Sequence, residues 1–187
     1  MSAPTTRRQT GWHIEVVTKD EAGKDLILKR YKPFRLTALR LDPQSFGSNL
    51  AREEAFDDEV WTSRLMDPLN RVIVAIDDTT ADIVCAAFLR ELSRETESDS
   101  SESRLALLFA IYGVWTLPSA RRHGIALAVL EETKRLAGDI AKVEGRECRL
   151  EVHAYEHNIG AVKLYSKAGF VALEPVDSGL LKLVLTL

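Results

Sequence analysis

One stretch of the sequence constrains the fold more than any other. The run LALLFAIYGVWTL, residues 105–117, is apolar at nearly every position, which is typical of a strand buried on both faces of a sheet. Apolar residues at helical spacing follow over about 122–142, and ECRLEVHAY, 147–155, reads as another strand. A strand, a helix and a strand in this order predict a crossover unit with two parallel strands. Gly113 inside the run predicts a bulge or a close approach by another group.

The remaining segments predict a mixed α/β sandwich built around one sheet. Ahead of the crossover we expect two short strands around a turn at 21–24, a short helix over 35–41, a helix over 50–65 closed by Pro68, and a hairpin formed by RVIVAIDD and DIVCAAFLREL. After it we expect a short helix in NIGAVKLYSKAG and two final strands, FVALEPV and GLLKLVLTL. Gly169 stands at the expected C′ position of that helix.

Composition sets the domain organisation. A chain of 187 residues with 45% hydrophobic residues predicts one domain with a full core, here over 11–187. Residues 1–10 are expected to form a disordered tail. The segment SRETESDSSESR, 93–104, has no aromatic or aliphatic residue and is expected to be a mobile loop.

Charge and cysteine content exclude several classes of protein. A net charge of -3 argues against a nucleic-acid binder, and no apolar run reaches the length of a membrane span. Cys85 and Cys148 are isolated, so they indicate reduced core residues. His153 and His157 alone do not make a metal site, and we expect none. No signal peptide is visible, which favours a cytoplasmic location, with a nuclear one left open.

The start of the helix after the apolar run has an unusual charge. Arg121 and Arg122 place positive charge at the positive end of a helix dipole, where Ser, Thr, Asp or Asn would be usual. Gly124 and Ala126 have almost no side chain, so a ligand can approach the backbone closely. Together these features predict a cradle for a diphosphate. A solvated first turn with small residues for packing is the alternative, and neither GxxxxGK[ST] nor GxGxxG is present.

Two motifs in fixed order favour the diphosphate cradle over the solvated first turn. The pattern V-x-x-x-P-x-x-R-x-x-G-x-A appears as Val114, Pro118, Arg121, Gly124 and Ala126. The pattern N-x-x-A-x-x-x-Y-x-x-x-G-F appears as Asn158, Ala161, Tyr165, Gly169 and Phe170. With these residues the sequence resembles the GCN5-related N-acetyltransferase (GNAT) superfamily. The resemblance covers about 105–175, and less specifically 38–61.

The resemblance implies a fold and a co-substrate. The fold is a mixed, mostly antiparallel sheet with one parallel βαβ splay and helices on both faces. Acetyl-CoA would lie in the splay, its pantetheine on strand backbone and its pyrophosphate on the helix start. The cofactor-binding positions implied are Val114, Trp115, Thr116, Arg121, Arg122, His123, Gly124, Ile125, Ala126, Leu127, Asn158, Ala161 and Tyr165. Thr116 replaces the usual Val, and Ala126 replaces the commoner Gly.

Acetyl transfer to an amine poses two proton problems. An amine with a pKa of about 10.4 is almost wholly charged at neutral pH, so a base must accept its proton. The departing thiolate needs a proton, and the resemblance implies Tyr165 as the general acid. An amphipathic core residue is the plain alternative for Tyr165, as a helix cap is for Asn158. No carboxylate lies in the 105–117 strand, so the base stays open among Glu151, His153 and Tyr112.

These features predict an N-acetyltransferase that transfers acetyl directly to a primary amine in a ternary complex. The acceptor, a small molecule or a peptide, is not specified: polyamine, amino acid, antibiotic and protein N-terminus all stay open, as does a homodimer. The acidic run 53–59 could attract a cationic acceptor, although a solvated helix face explains it equally simply. Two alternatives are an acyltransferase for a longer acyl-CoA and a CoA-binding regulator without turnover.

Overall fold

The computed structural model describes residues 7–9, 11–92, 106–173 and 179–187, and within these ranges eight strands form one sheet. The strands are β1 (Arg7–Gln9), β2 (Trp12–Val16), β3 (Asn70–Asp77), β4 (Ile83–Glu91), β5 (Ala106–Thr116), β6 (Glu147–Tyr155), β7 (Val171–Ala172) and β8 (Leu180–Thr186). Their spatial order is β1-β2-β3-β4-β5-β6-β8-β7. Among the strands of the described residues, only β5 and β6 are parallel neighbours. The predicted mixed, mostly antiparallel sheet with one parallel pair is confirmed.

Helices cover both faces of the sheet and give two apolar cores. The helices are α1 (Glu21–Leu26), α2 (Lys32–Leu41), α3 (Leu50–Glu54), α4 (Asp58–Met66), α5 (Ile125–Val143) and α6 (Ile159–Lys167). On one face α5 and α6 pack against side chains such as Phe109, Ile111 and Leu150. On the other, α2 and α4 pack against side chains such as Val74 and Trp115. No helix in the described ranges is long and apolar enough to cross a membrane.

The segment after β2 is helical. The first strand of the predicted pair is β2, but the predicted turn at 21–24 and the second strand are wrong. Asp20 caps α1 by accepting a hydrogen bond from the Gly23 N–H at 3.0 Å. Gly23 does not mark a turn. A Cβ at this position would lie 1.8 Å from the Thr18 carbonyl oxygen, so only glycine lets the helix begin this close to the preceding strand.

A π-helical turn, Ile27–Tyr31, joins α1 to α2 in one continuous helical segment. The Lys32 N–H bonds to the Ile27 carbonyl five residues back, and Pro33, which has no N–H, follows at once. The spacing of the buried residues Ile27, Tyr31, Phe34 and Ala38 is helical, so the signal was present in the sequence. The segment predicted as a short helix over 35–41 is the end of α2.

The predicted helix over 50–65 is two helices, α3 and α4. Asn49 caps the first through the Arg52 N–H, at 2.9 Å. Asp57 caps the second helix by accepting a hydrogen bond from the Val60 N–H, at 2.8 Å. A new helix therefore begins at this residue, and the two helices are separate. Glu53, expected on a solvated face, is buried at 3% exposure.

Other predictions concern segments that the structure describes only in part. Within the predicted tail 1–10, Arg7–Gln9 pair with β2 as an antiparallel strand, so those three residues depart from the expectation. The rest of the tail and the predicted loop 93–104 lie outside the described residues. Of the predicted strand FVALEPV, Val171–Ala172 form β7, and residues 174–176 lie outside the described ranges.

Candidate active site

The centre of the site is an opening between the two parallel strands. β5 and β6 pair from Ala106 with Glu147 to Ile111 with Val152, and their pairing ends there. Beyond this point β5 stays with β4 as far as Thr116, and β6 stays with β8 as far as Tyr155. In the last part of each strand, the backbone groups that face the gap therefore have no partner strand. This gap is the splay that the sequence predicts.

Gly113 sits at a bulge on the edge of this splay. The register between β4 and β5 shifts between Ala86 and Phe88, where Gly113 has a φ of +62°. That conformation favours glycine, and the predicted bulge is confirmed. Because the bulge turns the following backbone, Val114 lines the cavity at the splay, while Trp115 is buried against α2.

The start of α5 is built to present backbone N–H groups. Gly124 is the N-cap, with a φ of +78°, and it has no side chain that could cap the helix. The N–H groups of the first turn are therefore available to a ligand. Arg122 also has a positive φ, +71°, and a Cβ at Gly124 would meet nothing within 4 Å. Such a helix start fits a diphosphate, which is what the sequence predicts for Arg122–Leu127.

Arg121 has a different role from the one expected of a cradle arginine. Its guanidinium pairs with Asp42 at 2.6 Å and bonds to the Thr116 carbonyl at 3.1 Å. Asp42 also accepts a hydrogen bond from the Trp115 ring N–H at 2.7 Å. Burial alone would raise the pKa of Asp42, but these bonds outweigh it and lower that pKa. The arginine thus ties the loop before α5 to the end of α2.

Asn158 and Ala161 form the start of α6, on the far side of the splay. The Asn158 side-chain oxygen accepts the Ala161 N–H at 3.1 Å, which is a helix cap. Its amide nitrogen lies 3.3 Å from the Ser45 hydroxyl. The asparagine therefore connects α6 to the segment between α2 and α3, and both residues line the cavity.

Tyr165 lies on α6 and faces the same cavity while being only 5% exposed. Its ring meets Phe170 edge-on, with centroids 6.1 Å apart. Burial, with a smaller contribution from Cys85, raises the pKa of Tyr165. The phenol is therefore protonated across the neutral range and can donate a hydrogen bond.

One cavity of about 770 Å³ connects the splay with the start of α6 and Tyr165. It includes Val114 and Tyr165 at the splay and continues to Tyr31, Arg35 and Trp61 in the helical layer. Tyr165 belongs to the apolar core beneath α5, and Trp61 to the core of the opposite face. The cavity therefore crosses the sheet through the splay.

Comparison with known proteins identifies this architecture. The model of the Acetyltransferase (GNAT) family matches residues 38–170. The chain belongs to this family. It is accordingly an acyltransferase, and acetyl-CoA, its expected co-substrate, suits a site made of strand-edge backbone and an uncapped helix start. No curated protein sequence matches the chain.

Solved structures share the GNAT fold at low sequence identity. A putative acetyltransferase from Acinetobacter baylyi has a TM-score of 0.65 at 13% identity, covering 100% of this chain and 94% of that one. An aminoglycoside acetyltransferase from an uncultured soil metagenomic sample has a TM-score of 0.63 at 19% identity, covering 90% and 94%. Arabidopsis thaliana NAA60 in complex with acetyl-CoA has a TM-score of 0.56 at 16% identity, covering 83% and 93%.

The three base candidates lie on the same face of this GNAT sheet, opposite to Tyr165. Glu151 and His153 alternate with core residues of β6, and Tyr112 lies across the splay. Tyr112 and His153 line the cavity, whereas Glu151 is buried beside it and paired with Lys182 at 2.5 Å. Burial and the Glu151 charge raise the pKa of Tyr112, which makes it a poor proton acceptor.

The sequence reading missed a buried ion pair that lines the cavity. Arg35 on α2 donates Nε and Nη2 to the two carboxylate oxygens of Glu53 on α3, at 3.0 and 2.9 Å. Burial would raise the pKa of Glu53, but the Arg35 pair lowers it, so the carboxylate is charged. The acidic run 53–59 is thus not uniformly solvated. The helical spacing of Ile27–Leu41, of which only 35–41 was predicted as a helix, could have indicated this contact, because it places Arg35 on the same side as Tyr31.

Proposed function

We propose that the protein transfers the acetyl group of acetyl-CoA to a primary amine by direct attack in a ternary complex. One observation carries this proposal: the cavity crosses the sheet at the splay, with Tyr165 on one side and Tyr112 and His153 on the other. A thioester placed in the splay would have its sulfur accessible to an acid from one face. Its carbonyl would be open to an amine from the other.

The acyl donor is held mainly by backbone in this proposal. The pyrophosphate would bind the N–H groups of Arg122–Leu127, and the pantetheine would pair with Val114–Thr116. Thr116 can replace Val there because its hydroxyl is turned to Cys85, at 3.1 Å, while its carbonyl accepts a hydrogen bond from Arg121. The N–H groups near Val114 would also hold the oxyanion that forms during transfer.

His153 is the base we propose among the three candidates. It lines the cavity, whereas Glu151 is committed to Lys182 and Tyr112 is held protonated. Imidazole is also the side chain that most often moves protons in enzymes at neutral pH. The amine would lose its proton to His153 as the new N–C bond forms.

Tyr165 is the acid we propose for the leaving thiolate. Its phenol is protonated and buried at the splay, so it can donate to the sulfur as the C–S bond breaks. Because burial raises the pKa of Tyr165, hydrogen-bond donation to the sulfur contributes more than complete proton transfer. A moderate effect on turnover follows.

Release of free CoA thiol from acetyl-CoA across a panel of primary amines tests the proposal. We expect release with at least one amine and not with acetyl-CoA alone. Longer acyl-CoA donors in the same assay test donor length. Acetyl-CoA at 100 times its Kd should also stabilise the fold by about 2.7 kcal/mol in thermal melts. Stabilisation without thiol release from any amine would instead indicate a regulator without turnover.

A further inference from the structure

The part of the cavity within the helical layer has an unusual supply of hydrogen-bond donors. We call this part the acceptor pocket and define it by Tyr31, Arg35, Glu53, Trp61, Arg64 and Arg90, all of which line the cavity. It lies on the same face as His153 and Tyr112. The inference below rests on the proposed function, because it concerns what binds there beside the thioester.

Two buried donors in the acceptor pocket have no hydrogen-bond partner among the described residues: Arg35 Nη1 and Trp61 Nε1. Trp61 is only 2% exposed. Glu53 occupies Nε and Nη2 of Arg35, which leaves Nη1 as the unpaired nitrogen. A buried donor without an acceptor is costly and rare in folded proteins. Their presence in one cavity indicates a ligand with acceptor oxygens.

The unpaired Arg35 nitrogen is close to the reaction centre. It lies 3.7 Å from the position that a Cβ on Gly113 would occupy, at the bulge beside the splay. An anionic group bound there would sit within a few bonds of an amine that reaches the thioester. Trp61 lines the same pocket from α4, and its unpaired indole N–H provides the second donor.

Charge in the acceptor pocket is also more positive than negative. Arg35, Arg64 and Arg90 contribute three guanidinium groups, against the carboxylates of Glu53 and Asp67. Arg90 is only loosely paired with Asp67, at 4.0 Å, and Arg64 lies over the Phe56 ring at 5.1 Å. This balance disfavours a polycationic amine and favours an acceptor that brings negative charge.

We propose that the acceptor is a primary amine that also carries a carboxylate. The carboxylate binds Arg35 Nη1 and Trp61 Nε1, with Arg64 and Arg90 supplying positive charge around it. Guanidinium and indole N–H groups are natural donors to carboxylate oxygens. In the transfer the amine forms an N–C bond to the acetyl carbon and the C–S bond breaks. The amine proton leaves to His153, and the departing thiolate accepts a hydrogen bond from the Tyr165 phenol.

Matched acceptor pairs test this inference. Each pair shares an amine and differs only in the carboxylate: 4-aminobutyrate against 1-aminobutane, and an L-amino acid against its primary amide. We expect kcat/KM at least tenfold higher for the carboxylate member of one pair, with the difference falling as salt is added. Turnover of amines without that preference overturns the inference and leaves the proposed function standing. No thiol release from any amine overturns both.

Two variants with matched controls locate the carboxylate. Trp61→Phe removes the N–H and keeps an aromatic ring, and Arg90→Gln removes a charge from a half-exposed side chain. Both should raise KM for the carboxylate acceptor three- to tenfold and leave KM for its amide partner unchanged. Trp12→Phe and Arg149→Gln, outside the cavity, should leave both KM values unchanged. An equal change in both KM values would contradict the assignment.

Binding without chemistry gives an independent readout. The N-acetylated amino acid and its amide, titrated calorimetrically in the presence of CoA, should differ at least tenfold in Kd in favour of the acid. Equal affinities would overturn the inference whatever the acetylation assay gives.

Discussion

The two halves of the proposed site are constructed differently. The proposed donor half runs from the β5 bulge, which lines the cavity, to the start of α5, which lies outside the cavity lining, and it is made of backbone groups shaped by Gly113 and Gly124. The acceptor pocket is made of side chains from α2, α3, α4 and β4, brought together only by folding. A backbone site depends on local sequence and can be recognised as a motif. A side-chain site depends on long-range packing and can vary while the fold stays the same.

The largest expected effect falls on the donor half. Gly124→Asp should weaken acetyl-CoA binding by at least about 10³-fold, or about 4 kcal/mol, because a carboxylate would meet the pyrophosphate with like charge. Gly124→Asn is the matched control, since both residues tolerate a positive φ. Calorimetric titration of both variants, with circular dichroism for the fold, measures the difference. Equal affinity of the two variants would show that the pyrophosphate binds elsewhere.

The next largest effect is on the free energy of unfolding and concerns the Arg35–Glu53 pair of the acceptor half. Glu53→Gln should lower the free energy of unfolding by about 3 kcal/mol, because it leaves the Arg35 charge buried without its partner. Glu54→Gln, a neighbouring exposed carboxylate, should change it by less than about 0.5 kcal/mol. Denaturant titrations of both variants check this. A small change for Glu53→Gln would mean that the pair is not buried.

The same pair predicts a pH dependence. Because the folded-state pKa of Glu53 is lowered, its contribution to stability is fully present above the unfolded value of about 4.3. It is lost as the pH falls through the lower folded value. The stability difference between the parent and Glu53→Gln should therefore be constant near neutral pH and shrink below about pH 4. A difference that grows on acidification would have the wrong sign.

Tyr165→Phe tests the proposed catalytic role of the Tyr165 hydroxyl, which lies between the two halves. We expect kcat to fall about 10²-fold while the acetyl-CoA Kd changes less than about threefold, since the variant removes only the hydroxyl. Single-turnover kinetics and calorimetry separate the two quantities. A kcat within threefold of the parent would leave Tyr165 as a core residue without a part in the reaction.

The smallest effect concerns the connection between the halves. Asp42→Asn weakens the contacts that hold Arg121 and Trp115, and we expect the acetyl-CoA Kd to rise about threefold with about 1 kcal/mol of stability lost. Asp139→Asn, an exposed carboxylate on α5, is the control and should change neither quantity. An unchanged Kd for Asp42→Asn would mean that the loop before α5 needs no support from α2.

The bulge, helix start and strands of the proposed donor half were predictable because their signals are local, and acetyl-CoA binding there stays a prediction. The apolar run, Gly113, Gly124 and the second motif each act within a few residues, and the strand boundaries of β6 agree with the predicted 147–155. Gly23 differs, because its local sequence predicts a turn and the structure has a helix there. There the requirement for glycine comes from the Thr18 carbonyl, a contact that composition does not reveal.

The acceptor pocket was not predictable for a related reason. Glu53 looked like one more residue of an acidic helix face, and only packing of α3 against α2 buries it beside Arg35. Arg121 shows the converse: its motif position was recognised, but its partner Asp42 lies far along the chain. In both cases the partner that decides the residue's role lies too far along the chain for a local pattern to indicate it.

Hydrogen exchange with acetyl-CoA tests the difference between the halves most directly. Mass-spectrometric exchange at short times, with and without acetyl-CoA, reports which backbone N–H groups the ligand protects. The account predicts new protection in peptides covering 112–116 and 122–127, with peptides from the helical layer at 31–41 and 50–66 unchanged. Protection confined to the helical layer, or absent from the start of α5 at saturating acetyl-CoA, would contradict it.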